Sequence, residues 1–387
     1  MGGLDPIKIT LLLSELKDEN LVSLKENYWS KIIKSEDLFS DHMIDEASEI
    51  YLKRYMGHFE FLQNPHPLDF EWRNTSKSLN FLTDLINQVS TKNEKVLLLG
   101  MPTLFANCAV RNIPQQMTLV ERNPPIVNAL KKFNNAKFRV MQDDIFSADP
   151  KKIGKYDSVV MDPPWYTNFF HQFVWLASNC LELGGVLIIS IPSINTRTKI
   201  DKERIDWFSF CQKQGLCIEK LDPERLEYAM PFFEFNAFRS AKVENILPFW
   251  RKGDLVFFRK VSSPFSKRPA LDIPTENWME MQKESTRIRV NVNLSYSNES
   301  KINIGNLISG DIIPSVSRSH YLRKEANVWT SGNRAFKVNN PKLFWEALNQ
   351  GTNDIVNQWL EIITDLEKKE YRDYLEHIYY EMERNTA

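Results

Sequence analysis

Tyr156-Asp157-Ser158-Val159-Val160-Met161-Asp162-Pro163-Pro164-Trp165 decides how this chain folds. An apolar run of strand length ends at an acid, two prolines and an aromatic ring. A carboxylate at a strand end, with backbone carbonyls beside it, accepts hydrogen bonds from the protons of a planar exocyclic amine. The prolines stiffen the turn and, having no N–H, leave those carbonyls free. Trp165 offers a stacking face to a flipped-out base. A proline-rich strand exit with no chemistry is the other reading of Asp-Pro-Pro, and only the surrounding sequence separates the two.

Upstream, Lys95-Val96-Leu97-Leu98-Leu99-Gly100 is a continuous apolar run, as expected of a strand buried on both faces of a parallel sheet. It breaks at Gly100-Met101-Pro102-Thr103 and resumes as a helix from Leu104 to Val110. A second strand, Gln116 to Val120, ends in Glu121, and a third, Phe138 to Met141, runs into Gln142-Asp143-Asp144. The fourth carries Asp162, and a fifth follows as Gly185 to Ser190. Strands alternating with helices imply right-handed βαβ units and a doubly wound α/β sheet. Ligands of such sheets lie at the carboxyl ends of the strands, where every residue just named falls.

The chemistry at those ends suits S-adenosyl-L-methionine. Glu121 can accept both ribose hydroxyl protons, Asp143 or Asp144 can bond the adenine amine, and the Gly100, Pro102 turn would lie against the methionine part. A nicotinamide dinucleotide would call for Gly-x-Gly-x-x-Gly to bring backbone against a pyrophosphate, and the turn holds only Gly100. A solvated strand end remains the plain reading of Glu121 alone.

On these residues the block from Trp72 to Ser190 resembles the Asp-Pro-Pro-aromatic amino-methyltransferases of the class I, Rossmann-like fold. Leu99-Gly100-Met101-Pro102-Thr103-Leu104-Phe105 is similar to the glycine-poor turn of the N6-adenine-methyltransferase-like branch, which includes enzymes acting on ribosomal RNA adenine and on protein lysine. The resemblance covers about a third of the chain. It implies an acceptor pocket of Asp162, Pro163 and Trp165 and a cofactor site of Gly100, Glu121 and Asp144; Pro164 and Tyr166 are further acceptor candidates from the residues themselves, as Pro102 and Asp143 are for the cofactor. The commoner cofactor loop has a second glycine, absent here.

Methyl transfer asks mainly that an amine lone pair be aligned with the S–CH3 bond. Asp162 would hold the amine protons and stabilise the charge that develops on nitrogen. Asn123-Pro124-Pro125-Ile126 imitates the motif without its aromatic; it reads instead as a helix start, with Asn123 as N-cap. The aromatic-rich stretch Thr167 to Phe173 could line the acceptor entrance, while His171 reads as a packing residue without a catalytic role.

The chain has 387 residues, more than one such core occupies, so further domains are expected. Its organisation reads as a helical N-terminal segment (1–65), the methyltransferase domain (66–262) and a small α+β domain (263–387) beyond a Ser/Pro-rich linker. The charged fraction of 26% and hydrophobic fraction of 42% are those of a soluble globular protein. A net charge of −1 excludes a global nucleic-acid footprint, leaving local patches. Arg318, Arg323, Lys324 and Arg334 are the candidate patch in the last domain, whose role would be target recognition or partner binding. Four cysteines without Cys-x-x-Cys pairing indicate neither zinc nor disulfides and fit a reducing cytoplasm. No apolar run reaches membrane-spanning length, and Met1 to Pro6 is neither a signal peptide nor a myristoylation site. The expected partner is nucleic acid, DNA or RNA, with a protein partner or second copy possible through either terminal segment. Three functions compete: methylation of adenine, methylation of protein lysine, and a degenerate domain kept for partner binding.

Overall fold

The computed structural model describes residues 62–69, 71–194, 196–243, 246–270, 277–293, 301–317 and 320–386. The expected N-terminal helices and Arg318 lie outside the described residues. Helix α1 (Ser76–Val89) starts where Thr75 caps it, its side chain accepting from Ser78 N–H. Then come β1 (Lys95–Leu99), α2 (Pro102–Val110), β2 (Gln116–Glu121), α3 (Pro124–Leu130), β3 (Phe138–Gln142), the single turn α4 (Pro150–Ile153), β4 (Tyr156–Met161), α5 (Thr167–Cys180) and β5 (Leu181–Pro192). Helix α6 (Ile200–Lys213), β6 (Leu216–Glu227), α7 (Phe232–Ser240) and β7 (Lys252–Lys260) complete the first unit.

The seven strands run in the order β3-β2-β1-β4-β5-β7-β6, with β7 antiparallel to both neighbours and the first five parallel. The order reverses between β1 and β4, which opens a crevice at their carboxyl ends. Apolar strand residues pack on both faces: Leu98 and Val160 with α1 and α2 on one side, Leu99 and Met161 with α5 and α6 on the other.

The last unit has β8 (Trp278–Lys283), β9 (Thr286–Asn291), β10 (Ile304–Asn306), β11 (Val328–Thr330), β12 (Ala335–Val338), α8 (Pro341–Gln350) and α9 (Asp354–Thr386). Its sheet, β10-β12-β11-β9-β8, is antiparallel throughout. The last helix, α9, runs unbroken for 33 residues; Lys368 and Lys369 at its middle are good helix formers, and no proline or glycine interrupts it. Strand β9 alternates polar and apolar residues, yet Arg287 on its polar face is buried as well. Asp69 at 2.6 Å and Glu280 at 2.9 Å neutralise it, so the alternation marks ion pairs rather than solvent.

The linker is pinned, not loose. Arg268 donates to the carbonyls of Ala148 and Ile145 and to Gln172 Oε1, and lies over the Trp175 ring. Helix α9 joins the two units: Tyr374 and Ile378 pack on Phe232, Phe235 and Phe238 of α7. The cluster around Phe232 is core, although Phe233 and Phe238 also face a cavity. His171 packs as expected too, stacked on Phe210 and paired with Asp206 at 3.3 Å.

Candidate functional site

A cavity of about 620 Å³ opens at the carboxyl ends of β1 and β4. Gly100 to Thr103 form one wall, and Asp162, Pro163, Pro164, Trp165 and Tyr166 another. The segment Glu71 to Asn74 and the start of α7 close the sides, and Ser315 to Ser317 with Arg323 reach in from the last unit. The turn motif and the Asp-Pro-Pro-Trp motif, 62 residues apart in sequence, thus share one space because β1 and β4 are adjacent in register.

Gly100 adopts φ +65°, a left-handed conformation that disfavours any side chain. A Cβ there would sit 3.5 Å from the Phe173 ring, ordinary contact, so backbone conformation rather than space requires glycine. Pro102 opens α2, whose N-cap Met101 supplies no side-chain bond. Glu121 ends β2 buried, and burial pushes its carboxyl up to about 7 against the opposing hydrogen bond from Asn123 N–H at 2.8 Å. It forms no salt bridge among the described residues. Asp143 and Asp144 follow β3, where their carboxylates accept Asp144 N–H and Phe146 N–H at 2.8 and 2.9 Å. Asn123 does stand at the N-cap of α3, with Pro124 first in the helix, but its side chain makes no cap bond; its N–H serves Glu121 instead.

Asp162 is enclosed by protein, and its remaining accessible surface faces the cavity. Burial raises its carboxyl to about 7, while hydrogen bonds from Tyr228, Ser190 and the Trp165 indole oppose the rise. No salt bridge satisfies it among the described residues. Trp165 stands edge-on to Tyr228, with ring centroids 5.4 Å apart. Tyr166 lies under the Arg197 guanidinium at 5.3 Å.

The arginines of the cavity wall are already matched. Arg251 bonds Glu234 at 2.6 Å and lies over Trp72 at 4.0 Å and Trp250 at 4.6 Å. Arg73 bonds Glu71 at 2.7 Å, and Arg197 pairs with Glu203. Arg323, expected in a basic patch, does face the cavity, with its guanidinium over Trp329 and near the carbonyls of Pro67 and Val316. Arg334, expected beside it, does not line the cavity. It is 5% exposed and held by Glu370 at 2.5 Å and Asp311 at 3.7 Å, so it serves packing within the last unit. Phe169 and Phe170, expected near an entrance, turn instead toward Phe146, Tyr166 and Trp207.

Sequence reading missed Tyr228, Glu71, Glu234 and Arg251 as cavity residues. Tyr228 follows the edge strand β6 and Arg251 precedes β7, positions that no motif marks.

No protein-family model matches the chain, and no curated protein matches it in sequence. Solved structures do. A branched-chain polyamine synthase from Thermus thermophilus, solved with N4-aminopropylspermidine and 5'-methylthioadenosine, is 15% identical at a TM-score of 0.51, over 69% of this chain and 83% of that one. Its C9 mutein gives 14% and 0.52, over 70% and 84%. The chain has the class I methyltransferase fold. A putative RNA methyltransferase from Pyrococcus horikoshii is 16% identical, over 56% of this chain and 99% of that one, with a TM-score of 0.38.

Proposed function

We propose that this protein is an S-adenosyl-L-methionine-dependent transferase that methylates an amine nitrogen, with the exocyclic N6 of adenine as the preferred acceptor. The observation that carries the reading is the Asp162 carboxylate. Among the described residues it pairs with no cation, and it faces the cavity between the Gly100 turn and Trp165 and is ringed by hydroxyl and indole donors.

The residues fit the cofactor. Glu121 is a buried carboxylate without a salt bridge among the described residues, suited to a pair of ribose hydroxyls; it does not line the cavity itself, but the carbonyl of Val120 beside it accepts Gly100 N–H at 3.2 Å. When bound, S-adenosyl-L-methionine supplies a methyl group activated by its sulfonium. Asp162 accepts the N–H bonds of the acceptor, directs its lone pair at the methyl carbon and takes the proton that the alkylated nitrogen releases. A carboxyl raised toward neutrality is the stronger base for that last step. The Trp165 ring holds the acceptor plane, a contact worth about 1–3 kcal/mol for a stacked base. Arg323 and Ser317 border the same cavity, which gives the last unit a place in acceptor selection.

An aliphatic polyamine is the second reading of the acceptor. Arg73, Arg197 and Arg251 each hold a glutamate, so three arginines of the cavity wall are already matched by carboxylates, and the T. thermophilus synthase was solved with such an amine.

Transfer of labelled methyl from S-adenosyl-L-methionine to RNA, DNA, protein and polyamines, each with wild type and Asp162→Ala, tests both. Asp162-dependent label in N6-methyladenosine or its deoxy form supports the first reading. Label in a polyamine alone favours the second, and label in protein alone would make lysine the acceptor. Transfer unaffected by Asp162→Ala would overturn the site.

A further inference from the structure

Tyr228 sits where the two motifs cannot reach and touches both halves of the acceptor wall. Its backbone is fixed from two sides: Tyr228 N–H donates to Arg251 O at 3.0 Å, and Asn74 bridges it from the segment before α1. The side chain is 1% exposed, yet it lines the cavity. Its hydroxyl lies 2.5 Å from Ser190 Oγ of β5 and donates toward Asp162. Its ring meets the Trp165 ring edge-on at 89°. Room for this arrangement comes from Gly253 of β7. A Cβ there would fall 2.8 Å from Ser190 Oγ and 3.1 Å from the Tyr228 ring.

We propose that Tyr228, backed by Ser190 and given space by Gly253, is the positioning residue of the acceptor site, fixing the Asp162 carboxylate and the Trp165 ring in one geometry. The inference rests on the reading of Asp162 as the group that receives the acceptor amine. A phenol held by burial and a neighbouring carboxylate keeps its proton, so it acts as a donor throughout the working range. Around Asp162 stand Ser190 from β5, Tyr228 from the end of β6 and the Trp165 indole on its own loop. Arg251, before β7, reaches Tyr228 electrostatically, and Glu71 and Glu234 border the same cavity.

The test uses Tyr228→Phe, which keeps the ring and deletes the donor, together with Ser190→Ala. Two measurements are made on the full chain: the pH profile of Asp162-dependent transfer, and the pH dependence of thermal stability between pH 5 and 8, which needs no activity. Loss of a hydrogen bond to a carboxylate should lower kcat about tenfold, with KM little changed. It should also raise the acid limb of the profile by about one pH unit. Ser190→Ala should move both readouts in the same direction by less. A Tyr228→Phe protein whose acid limb and stability profile coincide with wild type overturns the proposal. If the stability profile shifts while no variant, wild type included, transfers a methyl group, the positioning stands and the amine-transferase reading fails.

Discussion

Replacing Asp162 with asparagine should stabilise the fold, and only where the carboxyl would be ionised. In the unfolded chain the group titrates near 3.8; in the folded chain burial holds it at about 7. The folded state therefore binds the proton more tightly, and stability falls as pH rises through that interval and is lowest above 7. The full cost corresponds to about 4 kcal/mol. Contact with water in the cavity reduces this to about 2 kcal/mol. Asparagine keeps an oxygen for the Tyr228 and Ser190 hydroxyls but cannot ionise. The difference in stability between Asp162→Asn and wild type should vanish only below about pH 4, reach about 0.8 kcal/mol at pH 5 and favour the variant by about 2 kcal/mol at pH 8. In a domain of about 200 residues that amounts to about 4–8 °C in Tm. Thermal unfolding of both proteins at one-unit steps from pH 5 to 8, followed by calorimetry to separate the two units, reads it directly. A constant offset between the curves across that range would refute the reasoning, because a pH-independent gain has no ionisation behind it. The same variant should lose at least 100-fold in transfer, since the amide is no base.

Three further outcomes follow from the geometry. Glu121 is held at about 7 by burial, so S-adenosyl-L-methionine affinity, measured by calorimetric titration, should rise as pH increases from 6 to 8. Glu121→Gln should flatten that dependence and weaken binding about tenfold. Gly100→Ala finds space against Phe173 but must hold φ +65°. A Tm loss equivalent to about 1–2 kcal/mol is expected, together with weaker cofactor binding. Gly332→Ala would place a Cβ 2.5 Å from Glu367 Oε1, in a turn whose N–H and hydroxyls hold that buried carboxylate. It should cost the last unit about 2–3 kcal/mol and lower its unfolding transition, read by calorimetry.

The first unit was legible because a parallel sheet buries both faces of its strands. Lys95–Leu99 and Tyr156–Met161 announce themselves as apolar runs, and their order fixes where the ligand crevice falls. The acids and turn residues at those strand ends were readable for the same reason. What escaped is whatever depends on contacts far apart in sequence. Tyr228 belongs to the site through an antiparallel return that pairs β6 with β7 and carries it to Asp162. Arg334 looked like part of a basic patch because sequence shows charge without its partner, and Glu370 lies 36 residues away on a helix. The partner of Arg287 is equally out of sequence view, Asp69 being 218 residues distant.

Those distant pairs bear on how the acceptor site is held. Asp69 stands three residues before the cavity wall at Trp72 and is locked to β9 through Arg287 and Arg289. Asn236 of α7, whose neighbours Phe233 and Phe238 face the cavity, donates to Gly332 O in the β11–β12 turn, and Glu367 of α9 receives that turn from the other side. The last unit therefore grips two separate walls of the cavity and adds Arg323 as part of a third. A site built this way cannot keep its shape if the last unit shifts. Loss of the Asp69 ion pairs should accordingly reach the chemistry at Asp162 without touching any residue of either motif.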